Sequence, residues 1–148
     1  NIVPFALTNK ENKFLLMNES EFTEGGALHT FGENFDFEGN ILKKTNNYSI
    51  YGTTVNYLVS ESIIPSPDYI KIDVDGIEHL ILNGADKVLG NKKLKSISIE
   101  INENFKTQYE EILSIMKKFN FVMVHKKNNP KTYIGKFANS FNYLFERI

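Results

Sequence analysis

Residues 67–80 (PDYIKIDVDGIEHL) constrain the fold of this chain more strongly than any other stretch of its sequence. Strand-forming side chains dominate the segment from Tyr69 to Val74, which Pro67 opens and Gly76 closes. This pattern predicts a buried parallel strand. Beyond the glycine the apolar residues follow helical spacing: Ile77, Leu80, Ile81, Ala85 and Val88. The stretch therefore predicts a strand, an acidic turn and a helix in succession.

Three carboxylates crowd the carboxyl end of the predicted strand: Asp73, Asp75 and Glu78. Aspartate is unfavourable inside strands, whereas ligands of open parallel sheets bind beyond the carboxyl ends of the strands. A plainer interpretation is a helix N-cap, which suits Asp75 better than Asp73, while Glu78 in a first helical turn is stabilised by the helix dipole. We predict that Asp73 belongs to a functional site, with Asp75 and Glu78 as further candidates.

The same stretch resembles a family signature. Residues 70–78 (IKIDVDGIE), followed by 82–85 (LNGA) and 88–89 (VL), resemble the motif of the FkbM methyltransferases, which usually have Glu where this chain has Asp75. The resemblance extends to three further segments: residues 5–9 (FALTN), 24–29 (EGGALH) and 97–101 (ISIEI). It implies an α/β, Rossmann-like class I fold with a mostly parallel sheet, and methyl transfer from S-adenosylmethionine, usually to a hydroxyl oxygen.

Position, side-chain chemistry and the resemblance together suggest roles for particular residues. Asp73, together with Thr8 and Asn9 at the end of the upstream segment, would bind the cofactor. Asp73, Asp75 and Glu78 would serve the chemistry toward a small-molecule or saccharide acceptor, a sugar or similar polyol. His29 would act as a general base, because the pKa of imidazole lies near neutral pH, although a polar loop side chain is the plainer interpretation.

One feature of class I methyltransferases is not found in the sequence: the opening strand and Gly-rich turn that cradle the cofactor. The adjacent glycines Gly25 and Gly26 lie in a polar loop without a strand-turn-helix pattern. We therefore expect residues 1–148 to be a single domain, the C-terminal portion of a class I methyltransferase-like domain that lacks its N-terminal strands. On this interpretation the fragment alone binds S-adenosylmethionine poorly and is inactive.

A metal site and two other function classes stay open. Mg²⁺ or Ca²⁺ could be held by Asp73, Asp75, Glu100 and Asn102 if these residues meet across neighbouring strand ends. A solvated acidic rim is favoured, because oxygen-only spacing is a weak signal. Asp73-Val-Asp75 is similar to the Asp-x-Asp motif of metal-dependent glycosyltransferases. A non-enzymatic remnant or interaction module is the other alternative, since the cofactor fingerprint is missing.

Composition narrows the possible partners. The net charge of −1 and a pI near 6.4 leave no electrostatic footprint for nucleic acid or an anionic membrane. The chain has no cysteine, hence no disulfide and no thiolate metal site, and no apolar run approaches the ~18 residues that span a bilayer. We expect a cytoplasmic protein. We also expect a homo-oligomer, because the strand from Tyr69 to Val74 would expose an unpaired edge.

The remaining elements follow from local patterns. We predict a hairpin of two strands over residues 2–8 and 13–17, a long irregular segment over 18–40 and a helix over 55–62. A strand over 94–101 precedes a helix with a capping box at residues 107–110. Strands over 121–124 and 141–145 form a closing antiparallel pair, joined by a turn over 126–131. His79 and His125 are predicted to lie on the surface.

Overall fold

The protein is described by a computed structural model covering residues 2–19, 28–43, 46–128, 135 and 137–148. These residues form an α/β structure with two four-stranded mixed sheets and four short to medium helices. The predicted α/β class is confirmed. The predicted mostly parallel sheet is wrong, because each sheet contains antiparallel pairs as well as one parallel pair among the described residues.

The first sheet has the order β1-β4-β2-β3. Its strands are β1 (Ala6–Leu7), β2 (Lys13–Glu19), β3 (His29–Phe31) and β4 (Asn46–Thr53). The predicted hairpin between the first two strands is wrong, because β4 lies between them. β4 pairs with β2 along the whole length of β2. On its other edge, β4 pairs with the two residues of β1 through Gly52 and Thr53. The segment predicted to be irregular contains β3, and residues 20–27 lie outside the described residues.

The second sheet has the order β5-β6-β8-β7. Its strands are β5 (Tyr69–Ile72), β6 (Ser96–Asn102), β7 (Phe121–Asn128) and β8 (Ser140–Arg147). β5 and β6 are parallel, whereas β8 runs antiparallel to both of its neighbours, which confirms the closing antiparallel pair. β7 extends to Asn128, because Lys126, Lys127 and Asn128 continue the ladder with β8. They were predicted to begin a turn, of which residues 129–131 lie outside the described residues.

The helices are α1 (Val55–Ser60), α2 (Glu78–Asn83), α3 (Asp86–Gly90) and α4 (Lys106–Lys118). α1 begins after Thr54, whose side chain accepts a hydrogen bond from Tyr57 N at 3.0 Å, as expected of an N-cap. The single helix predicted after Gly76 is divided at Gly84 and Ala85. The predicted capping box is wrong, because α4 begins at Lys106 and therefore places Thr107 inside its first turn.

The apolar core lies between the second sheet and α2, α3 and α4. The inward side of β6 is fully buried, and so is the middle of α4: Ile97, Ile99, Ile101 and Ile112. The prediction of a buried strand at β5 holds only for Ile72, because Tyr69 is 67% exposed, Lys71 is exposed and Ile70 is half-buried. β5 pairs with β6 on one side, and no described residue pairs with its outer edge. Self-association through this edge stays a prediction.

The two sheets are joined where the end of β1 packs against the connection between α2 and α3. A methyl group on Gly84 would lie 2.3 Å from the carbonyl oxygen of Thr8, so the two backbones are in direct contact. Gly84 also accepts a hydrogen bond from Asn56 N at 3.0 Å, which attaches α1 to the same point. A residue without a side chain is required here for close approach rather than for a special backbone angle.

We predict that Gly84→Ala destabilises the protein by about 1–3 kcal/mol, since the methyl group forces the Thr8 backbone away from the helices. Gly90→Ala is the matched control, because the atom nearest to its new methyl group is 3.9 Å away in the Phe119 ring. That variant should be neutral or more stable by up to about 1 kcal/mol. Equal free energies of unfolding for both variants in urea denaturation would contradict the contact.

Candidate functional site

Acidic side chains gather where the two parallel strands end. The register pairs Ile72 of β5 with Ile99 of β6, so the residues that follow, Asp73 and Glu100, stand side by side. β5 ends at Ile72, and Asp73 therefore begins the turn rather than lying within the strand. Carboxyl ends of parallel strands are where ligands bind in open sheets. The structure places Asp73 in the position that the sequence predicted.

Asp73 and Glu100 are neighbouring acids. Burial, followed by the charge of Asp73 and a hydrogen bond that the protonated Glu100 donates to Asp73, raises the pKa of Glu100. The Asp73 side chain is 44% exposed, and its Oδ2 lies 2.5 Å from Lys71 Nζ. The partly buried Glu100 is therefore protonated more readily than a free glutamic acid, and the side chain of Asp73 is open to solvent.

Asp75 points to the other sheet. Its Oδ2 accepts a hydrogen bond of 2.6 Å from the backbone N–H of Leu28, which precedes β3. Leu28 has a φ of 69°, in the left-handed region that side chains rarely adopt, and the charge-assisted bond helps to hold this conformation. Asp73 and Asp75 thus have different partners and serve different parts of the site.

A buried polar cluster contacts the turn that contains Asp75 and Gly76. Glu78 is 2% exposed, and Gln108 of α4 is 1% exposed. Gln108 Nε2 donates to Glu78 Oε2 at 2.7 Å and to the carbonyl oxygen of Gly76 at 2.5 Å. The predicted surface position of His79 is wrong: the residue is buried against α4, with its ring centroid 6.0 Å from that of Phe105, because α2 turns this side of the helix inward. His125 is exposed on β7, as predicted.

Gln108 was missed by the sequence analysis. It stands four residues before Ile112 and seven before Ile115, on the apolar face of α4. A lone amide on such a face is a detectable signal, since a buried polar side chain requires partners.

His29 faces a cavity between the two sheets. The cavity has a volume of about 340 Å³, is walled mostly by apolar side chains such as Phe31 and Ile77, and also contacts Asp75. The Nδ1 atom of His29 is buried and has no hydrogen-bond partner among the residues that the structure describes. A nitrogen in this state is free to accept a proton from a bound hydroxyl group.

Thr8 and Asn9 lie at the end of β1. Thr8 is 1% exposed, its hydroxyl lies 3.3 Å from Asn9 Oδ1, and Asn9 is exposed. Contact of these residues with the cofactor stays a prediction. Asn102 is also engaged, because its side chain donates to Phe37 O at 3.3 Å and accepts from Asn104 N at 3.0 Å. Over residues 2–19, 28–43, 46–128, 135 and 137–148, no three His, Cys, Asp or Glu side chains are grouped to hold a metal ion.

A second, larger cleft of about 480 Å³ follows the outer edge of β5. Its walls are mostly apolar and come from β1, α1, β5, α2 and α3: Leu7, Val55, Leu58, Ile72, Leu82 and Leu89. Asp73 and Lys71 are polar members of the lining. A cleft of this size with few polar groups is typical of a small-molecule site. In the described part of the chain, no helix is long and apolar enough to cross a membrane.

Burial raises the pKa of Glu78 to about 8, and the charge of Asp75 adds to this shift, while hydrogen bonds from Gly76 and Gln108 oppose it. The folded protein therefore binds this proton more tightly than the unfolded chain, whose pKa is near 4.5. Stability from this group is complete below pH 4.5 and is lost as the pH rises through about 8.

We predict that Glu78→Gln removes this pH dependence. Raising the pH from about 6 to about 9 should lower the melting temperature of the wild type relative to the variant. The neighbouring residues Asp75, Glu100 and His79 are the same in both proteins, so the difference between the two curves isolates Glu78. Glu111→Gln, on the exposed face of α4, is the control and should follow the wild type. Parallel curves for wild type and Glu78→Gln would contradict a buried, protonated Glu78.

A family model for the methyltransferase FkbM domain matches residues 5–123 of the chain. The matched segment includes β5, the acidic turn, α2, β6 and α4, and therefore every element that builds the candidate site. No curated protein and no solved structure gives a significant match. The chain belongs to the FkbM methyltransferase family.

Proposed function

We propose that the polypeptide containing these residues transfers a methyl group from S-adenosylmethionine to a hydroxyl oxygen of a sugar or similar polyol. Family membership supports methyl transfer in general. The observation that carries the proposal is the placement of Asp73 beside Glu100 at the carboxyl ends of the parallel strands β5 and β6.

The residues present fit S-adenosylmethionine. The cleft along β5 offers apolar walls to an adenine ring, and Asp73 offers a partly exposed carboxylate to a ribose hydroxyl or an ammonium group. Asp73, with Asn9 and Thr8 at the end of β1, would hold the cofactor. When bound, it supplies an electrophilic methyl group, so the protein has to supply orientation and a place for the acceptor's proton.

His29 is the base that we propose for the acceptor. Its Nδ1 atom, in the tautomer that carries hydrogen on Nε2, would take up the proton that the acceptor hydroxyl loses when its oxygen replaces the cofactor's sulfur on the methyl group. Asp75 lines the same cavity, and its carboxylate accepts hydrogen bonds and orients the acceptor. General-base catalysis of this kind contributes about 10²- to 10⁴-fold to a rate.

Polar groups suited to a polyol acceptor follow the end of β6. Beyond β6 the exposed amides Asn104 and Asn139 are hydrogen-bonded to each other at 3.0 Å, near the end of the strand that carries Glu100. Such groups both donate and accept hydrogen bonds, as sugar hydroxyls require.

The alternatives have less support. The Asp-x-Asp interpretation requires two converging carboxylates, whereas Asp73 contacts Lys71 and Asp75 contacts Leu28 N. No specific observation supports the interaction-module interpretation or self-association through the outer edge of β5. Each of them is an outcome that the tests can give.

We predict that Asp73→Asn lowers turnover by about 10²-fold or more in the natural polypeptide that contains this chain. Removing the charge weakens the group that orients the cofactor or the acceptor but leaves an isosteric side chain, so folding should be unchanged. The assay follows labelled methyl transfer from S-adenosylmethionine to a panel of sugars and polyols.

Asp68→Asn is the matched control. Asp68 is similarly exposed, forms surface ion pairs with Lys93 and Lys95, and precedes the opposite end of β5. This variant should retain wild-type turnover. Wild-type turnover in Asp73→Asn would remove Asp73 from the site. No transfer to any alcohol by the wild type would favour the interaction module.

A further inference from the structure

We infer that Gln108 is a positioning residue that holds the Asp75–Gly76 turn in place and thereby sets where Asp75 presents its carboxylate. The role of Asp75 in the site rests on the proposed function, whereas the positioning itself is a property of the fold. Gln108 lies outside the signature that first indicated the site, and it acts from α4, a different element from the turn.

The amide nitrogen of Gln108 uses both of its hydrogen atoms. An amide nitrogen carries two hydrogen atoms, and here one reaches the carbonyl oxygen of Gly76 at 2.5 Å and the other Glu78 Oε2 at 2.7 Å. His79 Nδ1 lies 3.3 Å from the same nitrogen. The carbonyl oxygen of Gly76 cannot donate, which identifies the nitrogen as the donor end of the amide. At 1% exposure, no solvent replaces these bonds if the amide is removed.

The opposite side of the turn is held by backbone contact. Gly76 has a φ of 102°, and a methyl group on it would lie 2.9 Å from Phe37 Cα. The peptide is therefore enclosed between Phe37 on one side and the Gln108 amide on the other. Gly76 N also lies 3.4 Å from Glu78 Oε1. Gln108 therefore acts on the carbonyl end of the glycine directly and on its N–H end through Glu78.

The position of the Gly76 peptide determines where the residue before it lies in the site. Asp75 precedes Gly76 directly, and its carboxylate reaches the Leu28 N–H at 2.6 Å and lines the cavity that contains His29. A displacement of Gly76 therefore moves Asp75 away from both. Misplacement of a site residue by about 1 Å costs on the order of 10²-fold in rate.

The test replaces Gln108 with Met, which keeps the length and volume of the side chain but donates no hydrogen bond. The Leu28 amide is the reporter, because it is bonded to Asp75 and Gln108 does not contact it. In ¹⁵N-labelled protein its low-field proton shift should be lost, and its hydrogen exchange should accelerate by at least about tenfold. The amides of β8, two strands away from the turn, should keep their exchange rates, whereas a general loosening would accelerate both.

Asn83→Ala is the matched control. Asn83 Nδ2 donates to Glu111 Oε1 at 2.7 Å and so joins the same two helices, but on their exposed side and away from the turn. This variant should leave the Leu28 amide unchanged. Gln108→Asn is the second variant and withdraws the amide by one methylene, with less disturbance if the Met variant does not fold.

Kinetics supply an independent measurement. In the natural polypeptide, Gln108→Met should lower kcat by about 10²-fold. KM should change by less than about threefold, because Gln108 lines neither of the two clefts proposed for the substrates. A folded variant at position 108 with an unchanged Leu28 amide overturns the inference. If the Leu28 amide is displaced in the variant, but neither the wild type nor any variant transfers a methyl group, the proposed function is rejected and the positioning role remains supported.

Discussion

The site depends on a single glycine peptide that three separate segments hold. Gly76 adopts a left-handed backbone angle, which lets the backbone of Phe37 approach it closely. Gln108 binds its carbonyl oxygen from α4, and Glu78 lies against its N–H. Because the acidic residues occur on either side of this peptide, the segment between β3 and β4, α2 and α4 all contribute to their position. Loss of one of these supports leaves polar groups buried without partners, which is more costly than the loss of an exposed bond.

The opposite end of the second sheet is held by a different kind of interaction. Arg147, at the end of β8, donates to the carbonyl oxygens of Leu94, Phe119 and Leu89 at 2.8, 3.0 and 2.6 Å. Its guanidinium carbon also lies 4.3 Å from the centre of the Phe121 ring. Leu89 and Phe119 lie at the carboxyl ends of α3 and α4, where a positive charge is favourable. These contacts therefore stabilise the end of the sheet that is remote from the site. The polar residues at the carboxyl ends of the parallel strands take no part in them and can contact ligands.

Burial divides the acidic residues of the site into two groups. The side chains of Asp73 and Asp75 face solvent or a cavity, whereas Glu78 is buried and this burial raises the pKa of Glu78 to about 8. Glu78 is thus a structural acid with a proton at neutral pH, and Glu100 is intermediate between the groups. Residues that are close in the sequence have different roles because a short helix turn carries one carboxyl into the core and leaves the others at the surface.

Much of the site was determined by the sequence itself. Alternation and helical spacing are local properties, so the strand at β5, the acidic turn, the helix after it and the strand at β6 were predictable from residues 67–101 alone. The family motif lies in the same stretch and indicated Asp73 and Asp75 by position. The closing antiparallel pair followed similarly, since two strands joined by a turn pair as a hairpin.

Only the tertiary structure decided which distant elements meet. β4 pairs between β1 and β2, His79 turns inward, and Gln108 reaches Gly76 across 32 residues of sequence. Such contacts depend on the complementary shapes and hydrogen-bonding groups of surfaces that are far apart in the chain, so local periodicity carries little information about them. The sequence determined which groups lie at the ends of the strands. The packing of α4 and the first sheet determined which carboxyl is buried and protonated, and which ones face the cavities.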